Sequence, residues 1–146
     1  MSFKSRSMAL IAAFSIATTA LAGGPIEIEG AYARSATPKS VTGGIFLTIR
    51  NTGAQDDRLV GVQSDIAKRV ELHSNKEGEN GVMRMMRIEG GIVIAAGETH
   101  DLKRGGDHIM LMGLNAPLVQ GNVVGLTLTF EQAGQVQVEI PVDLTR

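Results

Sequence analysis

The strongest constraint on the fold is the alternation of apolar and polar residues in short segments. In "VQVEIPV", valines and an isoleucine occupy every second position from Val136 to Val142, with polar residues or proline between them. Successive side chains of a β-strand point to opposite faces, so such a segment buries one face and exposes the other. Similar segments recur between residues 26 and 144 without any long helical periodicity. The pattern predicts an all-β fold, an antiparallel β-sandwich or Greek-key barrel.

Glycine-containing turns separate the predicted strands. Residues 34–44, which contain Pro38 and two adjacent glycines, are predicted to form a loop. One turn of helix within residues 64–71 is the alternative to a strand in that stretch. The predicted strands cover residues 26–33, 43–53, 58–64, 68–74, 81–88, 91–96, 98–103, 108–114, 123–131 and 135–144.

The first 22 residues have the features of a secretory signal peptide. Two basic residues precede an apolar run from Met8 to Ile16, and a small-residue Ala-Leu-Ala pattern ends at Ala22. A membrane anchor is the alternative, but the run is shorter than the roughly 20 residues that span a bilayer. We therefore expect cleavage after Ala22 and a single exported domain over residues 23–146.

The composition of that domain excludes several classes of function. It contains no cysteine, so it has neither disulfides nor a thiol that could bind a metal. Its 12 basic and 15 acidic side chains give a formal charge of −3. No basic patch is interleaved with aromatic residues, and we therefore expect no nucleic-acid partner.

The segment "GGDHIMLMGL" places two kinds of side chain on the two faces of one strand. His108, Met110 and Met112 share one face, and Ile109 and Leu111 share the other. Branched aliphatic residues are typical core residues. The histidine and both methionines are therefore predicted to face away from the core.

The segment "VELHS" follows the same alternation. Val70 and Leu72 are predicted to point inward, so Glu71 and His73 face the opposite way. A second histidine therefore joins the outward-facing set.

The methionines are concentrated in one part of the chain. Five of the seven lie between Met83 and Met112, together with two of the three histidines. In "GVMRMMRI", Met83 and Met85 share one face of a predicted strand, whereas Met86 is expected to pack in the core. Use of methionine as core filler is the alternative explanation. Thioether and imidazole ligands suit Cu(I), whereas Mg, Ca and Mn prefer oxygen and structural zinc prefers thiolate or imidazole.

A copper site on this face needs more than one strand. His108 and Met110 lie two residues apart, about 7 Å along a strand, so their side chains can converge on one ion. Two further ligands would complete a tetrahedral Cu(I) site. His73 and Met85 have the right chemistry and lie on the two arms of the segment 68–88.

The combination of His73, Met85, His108 and Met110 with "GVMRM", "GGDHIMLMGL" and "GGIFLTIRNTG" resembles the PCuAC family of periplasmic copper chaperones. The resemblance extends over nearly the whole chain after residue 22. It implies a cupredoxin-like β-sandwich that binds one Cu(I) through these four residues in the periplasm. It also implies delivery toward the CuA centre of cytochrome c oxidase, with a Sco-type thioredoxin-fold protein or the CuA subunit as acceptor.

The spacing departs from the family pattern by one residue. Eleven residues separate His73 from Met85 and twenty-two separate Met85 from His108, where the family has ten and about twenty-one. A slightly longer loop before Met85 explains the difference and leaves Met83 as its rival. Met112 is expected to be a neighbour of the site and not a ligand.

The expected protein is a soluble monomer that carries copper and is not an enzyme. The chain ends in "VDLTR", without the His- and Met-rich tail that some relatives use for a second copper, so one site is expected. A copper storage or resistance protein and a secreted β-sandwich interaction module without metal are the alternatives. His100 with Asp101 or Asp107 would suit acid–base catalysis, but no nucleophile accompanies them, and His100 is expected to be solvated.

Overall fold

The computed structural model describes residues 25–146, which form ten β-strands. The predicted signal peptide, residues 1–22, lies outside the described residues. Within this part of the chain, no helix has the length and apolar character that crossing a bilayer requires. The strands are β1 (Ile26–Arg34), β2 (Thr42–Asn51), β3 (Asp57–Gln63), β4 (Ala67–Glu77), β5 (Met83–Arg87), β6 (Ile92–Ile94), β7 (Thr99–Leu102), β8 (His108–Leu114), β9 (Val123–Phe130) and β10 (Gly134–Pro141).

The strands form two sheets. The first has the spatial order β1-β2-β8-β4-β5, and β7 pairs with the C-terminal half of β2. The second has the order β10-β9-β3-β6. Every ladder between these strands is antiparallel. The predicted antiparallel all-β class is therefore confirmed.

The hydrophobic core is built from the inward-facing aliphatic residues of both sheets. Ile45, Ile49 and Leu111 of the first sheet and Leu59 and Leu128 of the second are fully buried. Complete burial of a Leu or Ile side chain stabilises a fold by about 1.5–3 kcal/mol. This core holds the first sheet in place and leaves its opposite, outer face available for other chemistry.

Strand β8 shows the predicted alternation. Ile109 and Leu111 are 0% exposed, while Met110 and Met112 on the outer face are partly exposed. His108 also belongs to the outer face but is only 5% exposed. The rings of Phe46 on β2 and His73 on β4 lie beside it, with centroids 6.2 and 6.0 Å away, and cover it.

Strand β4 is longer than the sequence predicts. It begins at Ala67, so the alternative of a helical turn within residues 64–71 is wrong. Ala67 to His73 pair with β8, and His73 to Glu77 pair with β5. Pairing with a neighbour along its whole length satisfies the backbone of β4 and overrides the weak local preference of this stretch.

Candidate metal centre

The two candidate histidines are direct cross-strand partners. His73 of β4 lies opposite His108 of β8 in the antiparallel ladder. Cross-strand partners project from the same face of a sheet, so both imidazoles lie on the outer face. Their ring centroids are 6.0 Å apart and the rings are inclined by 51°. The backbone pairing thus brings two nitrogen donors together without any loop.

The two candidate methionine ligands flank this histidine pair from opposite ends. Met110 lies opposite Glu71, two residues before His73 on β4. Met85 lies opposite Asn75, two residues after His73. The structure therefore brings the four predicted ligands to the same face of three adjacent strands, β5, β4 and β8.

The register separates Met85 from its rival Met83. The partner of Met85 is two residues from His73 along β4, which corresponds to about 7 Å. The partner of Met83 is Glu77, four residues from His73, which corresponds to about 13 Å. A methionine side chain spans the first distance more readily than the second, so the register favours Met85.

His108 is held in one orientation by its neighbours. Its Nδ1 lies 2.9 Å from the carbonyl oxygen of Gly106. Because a carbonyl can only accept, Nδ1 carries the hydrogen and the neutral ring keeps its lone pair on Nε2. The Phe46 ring lies beside it, with centroids 6.2 Å apart, and Tyr32 continues this aromatic row across β1.

Glu71 is a carboxylate on the same face as the histidine pair. Its side chain is only 12% exposed, and its Oε2 lies 3.0 Å from Nε2 of His73. The guanidinium of Arg69 donates to Oε1 at 2.8 Å, and that of Arg87 lies 3.9 Å from the same oxygen. The hydrogen bond from His73, followed by that from Arg69, lowers the pKa of Glu71. The carboxylate is therefore ionised and already engaged.

The second ring nitrogen of His73 has a different environment. Among the described residues, Nδ1 of His73 is a buried nitrogen with no hydrogen-bond partner. The side chain as a whole is 13% exposed. A buried polar atom without a hydrogen-bond partner lowers the stability of the folded protein. A metal ion is one of the groups that could bind this nitrogen.

An open cavity of about 250 Å³ adjoins His108 and Met110. Gly44 of β2 lies opposite Met110 and has no side chain of its own, and the ring of Phe46 lies 3.1 Å from where its Cβ would be. A larger hollow of about 740 Å³ lies on the second sheet and contains neither His nor Met. The smaller cavity is also lined by Arg34, Ser35, Ala36, Thr42, Gly43, Phe46 and Arg104.

Comparison with known families identifies the chain. The family model described as "LpqE-like: Putative lipoprotein LpqE-like" matches residues 26–142. The chain belongs to the LpqE-like family. It is 35% identical over 119 residues to the "Putative lipoprotein Lxx21020" of Leifsonia xyli subsp. xyli (strain CTCB07), an alignment that covers 80% of this chain and 71% of that protein.

Solved structures place the LpqE-like chain among PCuAC domains. It superposes on the copper-bound PCuAC domain from PmoF2 with a TM-score of 0.69 and 24% identity, covering 83% of this chain and 94% of that one. It superposes on the CuI form of DR1885 from Deinococcus radiodurans with a TM-score of 0.62 and 30% identity, covering 80% and 76%. The predicted resemblance to PCuAC and the cupredoxin-like class are confirmed.

The LpqE-like chain exposes all of β5, which corrects one prediction. Met86 is 53% exposed and is not a core residue. It does point toward the inner side, opposite Ser74, but β5 is the edge strand and no core residue covers it there. Met83 and Met85 are 57% and 51% exposed. Met112 lies opposite Arg69, two residues beyond Met110 on the same strand face.

His100 is the second correction. It is not fully solvated, because its Nε2 lies 3.0 Å from Oδ2 of Asp107 and its side chain is 31% exposed. Asp101 instead accepts a hydrogen bond from Thr48. Within residues 25–146, no group of three or more His, Cys, Asp or Glu side chains could hold a metal ion.

Three residues near the site are missed by sequence reasoning. The alternation places Glu71 on the same face as His73 but does not predict the hydrogen bond between their side chains. Phe46 and Gly106 approach His108 only because β2 lies beside β8 and the preceding loop folds back. The sequence contains no local signal for the strand order. Of these three contacts, only that between Glu71 and His73 could have been suspected from the sequence, because the two residues lie two positions apart on one strand.

Proposed function

We propose that this LpqE-like protein binds one Cu(I) ion through His73, Met85, His108 and Met110 and hands it to an acceptor protein. The observation that carries the proposal is the cross-strand pairing of the two histidines, with one methionine diagonally on each side. The copper-bound forms of the PmoF2 domain and of DR1885 support the choice of copper.

The donor set favours the monovalent ion. Two imidazoles and two thioethers are neutral ligands, and soft thioether sulfur suits Cu(I). The nearby carboxylate of Glu71 is occupied by His73 and Arg69. A neutral ligand set leaves the single positive charge of copper uncompensated, which favours transfer to an acceptor with anionic thiolate ligands.

The position of the site suits a carrier. The ligands lie on the outer face of the sheet, and Met85 belongs to an edge strand whose residues are all exposed. An incoming acceptor can therefore replace the ligands one at a time. We place the protein in the periplasm, consistent with lipoprotein relatives and with the expected signal peptide. A Sco-type protein or the CuA subunit of cytochrome c oxidase is the proposed acceptor.

An anaerobic Cu(I) titration against a chromophoric chelator tests the binding step. We expect one tight equivalent for the wild type and its loss or strong weakening in His108→Ala and Met110→Ala. His100→Ala is the matched control, because His100 lies opposite the core residue Ile49 and so on the other face of the sheet from the proposed ligands. Equal binding by all four proteins would show that His108 and Met110 are not the ligands, and absence of binding by the wild type would favour an interaction module without metal.

A transfer assay separates the carrier from a storage or resistance protein. The copper-loaded protein is mixed with an apo Sco-type protein or an apo CuA domain, and copper is followed after separation of the two. We expect the metal to appear on the acceptor. Retention of the metal in the presence of excess acceptor would favour storage with the same site.

A further inference from the structure

The two histidines of the candidate site use different ring nitrogens in their hydrogen bonds. In His108, Nδ1 lies 2.9 Å from the carbonyl oxygen of Gly106. In His73, Nε2 lies 3.0 Å from the carboxylate of Glu71. Both partners can only accept, so each engaged nitrogen carries the hydrogen, and the lone pair of a neutral ring lies on the other nitrogen.

This assignment explains the buried nitrogen of His73. With the hydrogen on Nε2, its Nδ1 is an unprotonated acceptor, and it is the buried atom without a partner. An imidazole binds a metal through its unprotonated nitrogen, and the other nitrogen commonly donates to a carboxylate or a backbone carbonyl. Both histidines have this form, with a carboxylate for His73 and a carbonyl for His108.

Glu71 is held firmly enough to impose this orientation. Its Oε1 accepts from Arg69 at 2.8 Å and faces Arg87 at 3.9 Å, which leaves Oε2 for His73. The side chain is 12% exposed and lies opposite Met110 in the ladder. Rotation of Glu71 away from His73 would break these contacts and uncover a charged group beside the candidate ligands.

We infer that Glu71 is a positioning residue that makes Nδ1 of His73 the copper-binding nitrogen, while Gly106 makes Nε2 the copper-binding nitrogen of His108. The inference rests on the proposed function and adds to it an assignment of the ligand atoms. Two different nitrogens allow cross-strand partners at the same level of the ladder to approach one ion from unlike directions.

Long-range ¹H–¹⁵N spectra of the imidazoles test the inference directly. In the metal-free wild type at pH 8, His73 should show the neutral form with hydrogen on Nε2, and His108 the form with hydrogen on Nδ1. Addition of one equivalent of Cu(I) should shift Nδ1 of His73 and Nε2 of His108. Hydrogen on Nδ1 of metal-free His73, or a larger copper-induced shift at its Nε2 than at its Nδ1, would overturn the inference.

Variants of Glu71 provide the second measurement. Glu71→Ala should release the ring of His73, mix its two neutral forms and weaken Cu(I) binding by about 10- to 100-fold. Glu71→Gln keeps an acceptor oxygen and should preserve the Nε2–H form with a smaller loss. Glu29→Ala removes a carboxylate that faces only Arg50, at 3.8 Å, and should change neither property.

The outcomes distinguish this inference from the proposed function. If the wild type binds no Cu(I), the proposed function falls, while the metal-free spectra still decide whether Glu71 sets the form of His73. If the wild type binds Cu(I) and Glu71→Ala retains both the affinity and the Nε2–H form, the positioning role is wrong and the copper site stands. Should Glu71→Ala fail to fold, the wild-type spectra and Glu71→Gln remain decisive.

Discussion

His73 and His108 occupy the same level of the ladder between β4 and β8, with ring centroids 6.0 Å apart. Direct partners in an antiparallel pair have a separation that backbone hydrogen bonding sets. The nitrogen half of the candidate site is therefore formed by the sheet itself. Met85, in contrast, depends on how the edge strand β5 is placed.

Single replacements of Met83 and Met85, which share one face of β5, should show which of the two binds copper. Met85→Leu should weaken Cu(I) binding by about tenfold or more. Removal of a residue that only supports a ligand already weakens metal binding by about tenfold, and removal of the ligand itself should weaken it at least as much. Met83→Leu should bind as the wild type, because the position of Met83 is two residue pairs farther from His73. Both side chains are about half exposed, so neither change should lower stability greatly. Weakening by Met83→Leu alone would reverse the assignment.

The two faces of β8 should respond oppositely to truncation. Leu111→Ala removes a fully buried side chain and should lower the free energy of unfolding by about 2–5 kcal/mol. It should leave one Cu(I) site in the folded fraction. Met110→Ala should abolish or weaken copper binding and cost less stability, because Met110 is partly exposed. Denaturant melts and Cu(I) titrations of both variants measure the two quantities.

The alternation that predicts these faces is a local property. Ile109 and Leu111 are core residues because a strand reverses its side chains at every step, which the sequence displays directly. The same rule places Met86 on the inner side, yet Met86 is 53% exposed because it lies on the edge strand. Burial at an edge depends on which strands are neighbours, and local periodicity carries no such information.

Two adjacent glycines before β6 should tolerate substitution very differently. Gly90 and Gly91 both have positive φ, 82° and 79°. A Cβ at Gly90 would meet nothing within 4 Å, so Gly90→Ala should cost about 1–2 kcal/mol from the left-handed conformation alone. A Cβ at Gly91 would clash with the carbonyl oxygen of Leu59, a backbone atom that cannot move aside easily. Gly91→Ala should therefore lower the melting temperature clearly more than Gly90→Ala, and equal effects would contradict the geometry.

Asp57 should be important for stability but not for copper. It is 5% exposed, and its carboxylate accepts from the backbone N–H of Gln132 at 2.8 Å and of Ala133 at 3.0 Å. Asp57→Ala leaves these donors unpaired and should cost about 2–4 kcal/mol. The neighbouring Asp56 is exposed and accepts only from Ala96, so Asp56→Ala should cost about 1 kcal/mol. Copper stoichiometry should be unchanged in both variants.

The candidate ligands could be predicted from the sequence, whereas their support could not. Histidine and methionine stand out by chemistry and spacing, and parity alone puts His73, His108 and Met110 on outer faces. Glu71, Gly106 and Phe46 have no unusual composition or spacing. They become relevant only when strand order brings a carboxylate, a carbonyl and a ring against the two imidazoles.

Gly44 has a consequence for the way copper would leave. Opposite Met110, the ring of Phe46 lies over Gly44, 3.1 Å from where a Cβ would be, and a cavity beside it adjoins His108 and Met110. In the proposed copper form, an acceptor's sulfur could enter from that flank while Met85 remains bound on the other side. Exchange would then be associative, with the new bond forming before the old one breaks, and its rate would rise with acceptor concentration. A side chain at Gly44 would have to displace the ring of Phe46, which lines the same cavity, and would therefore narrow this route.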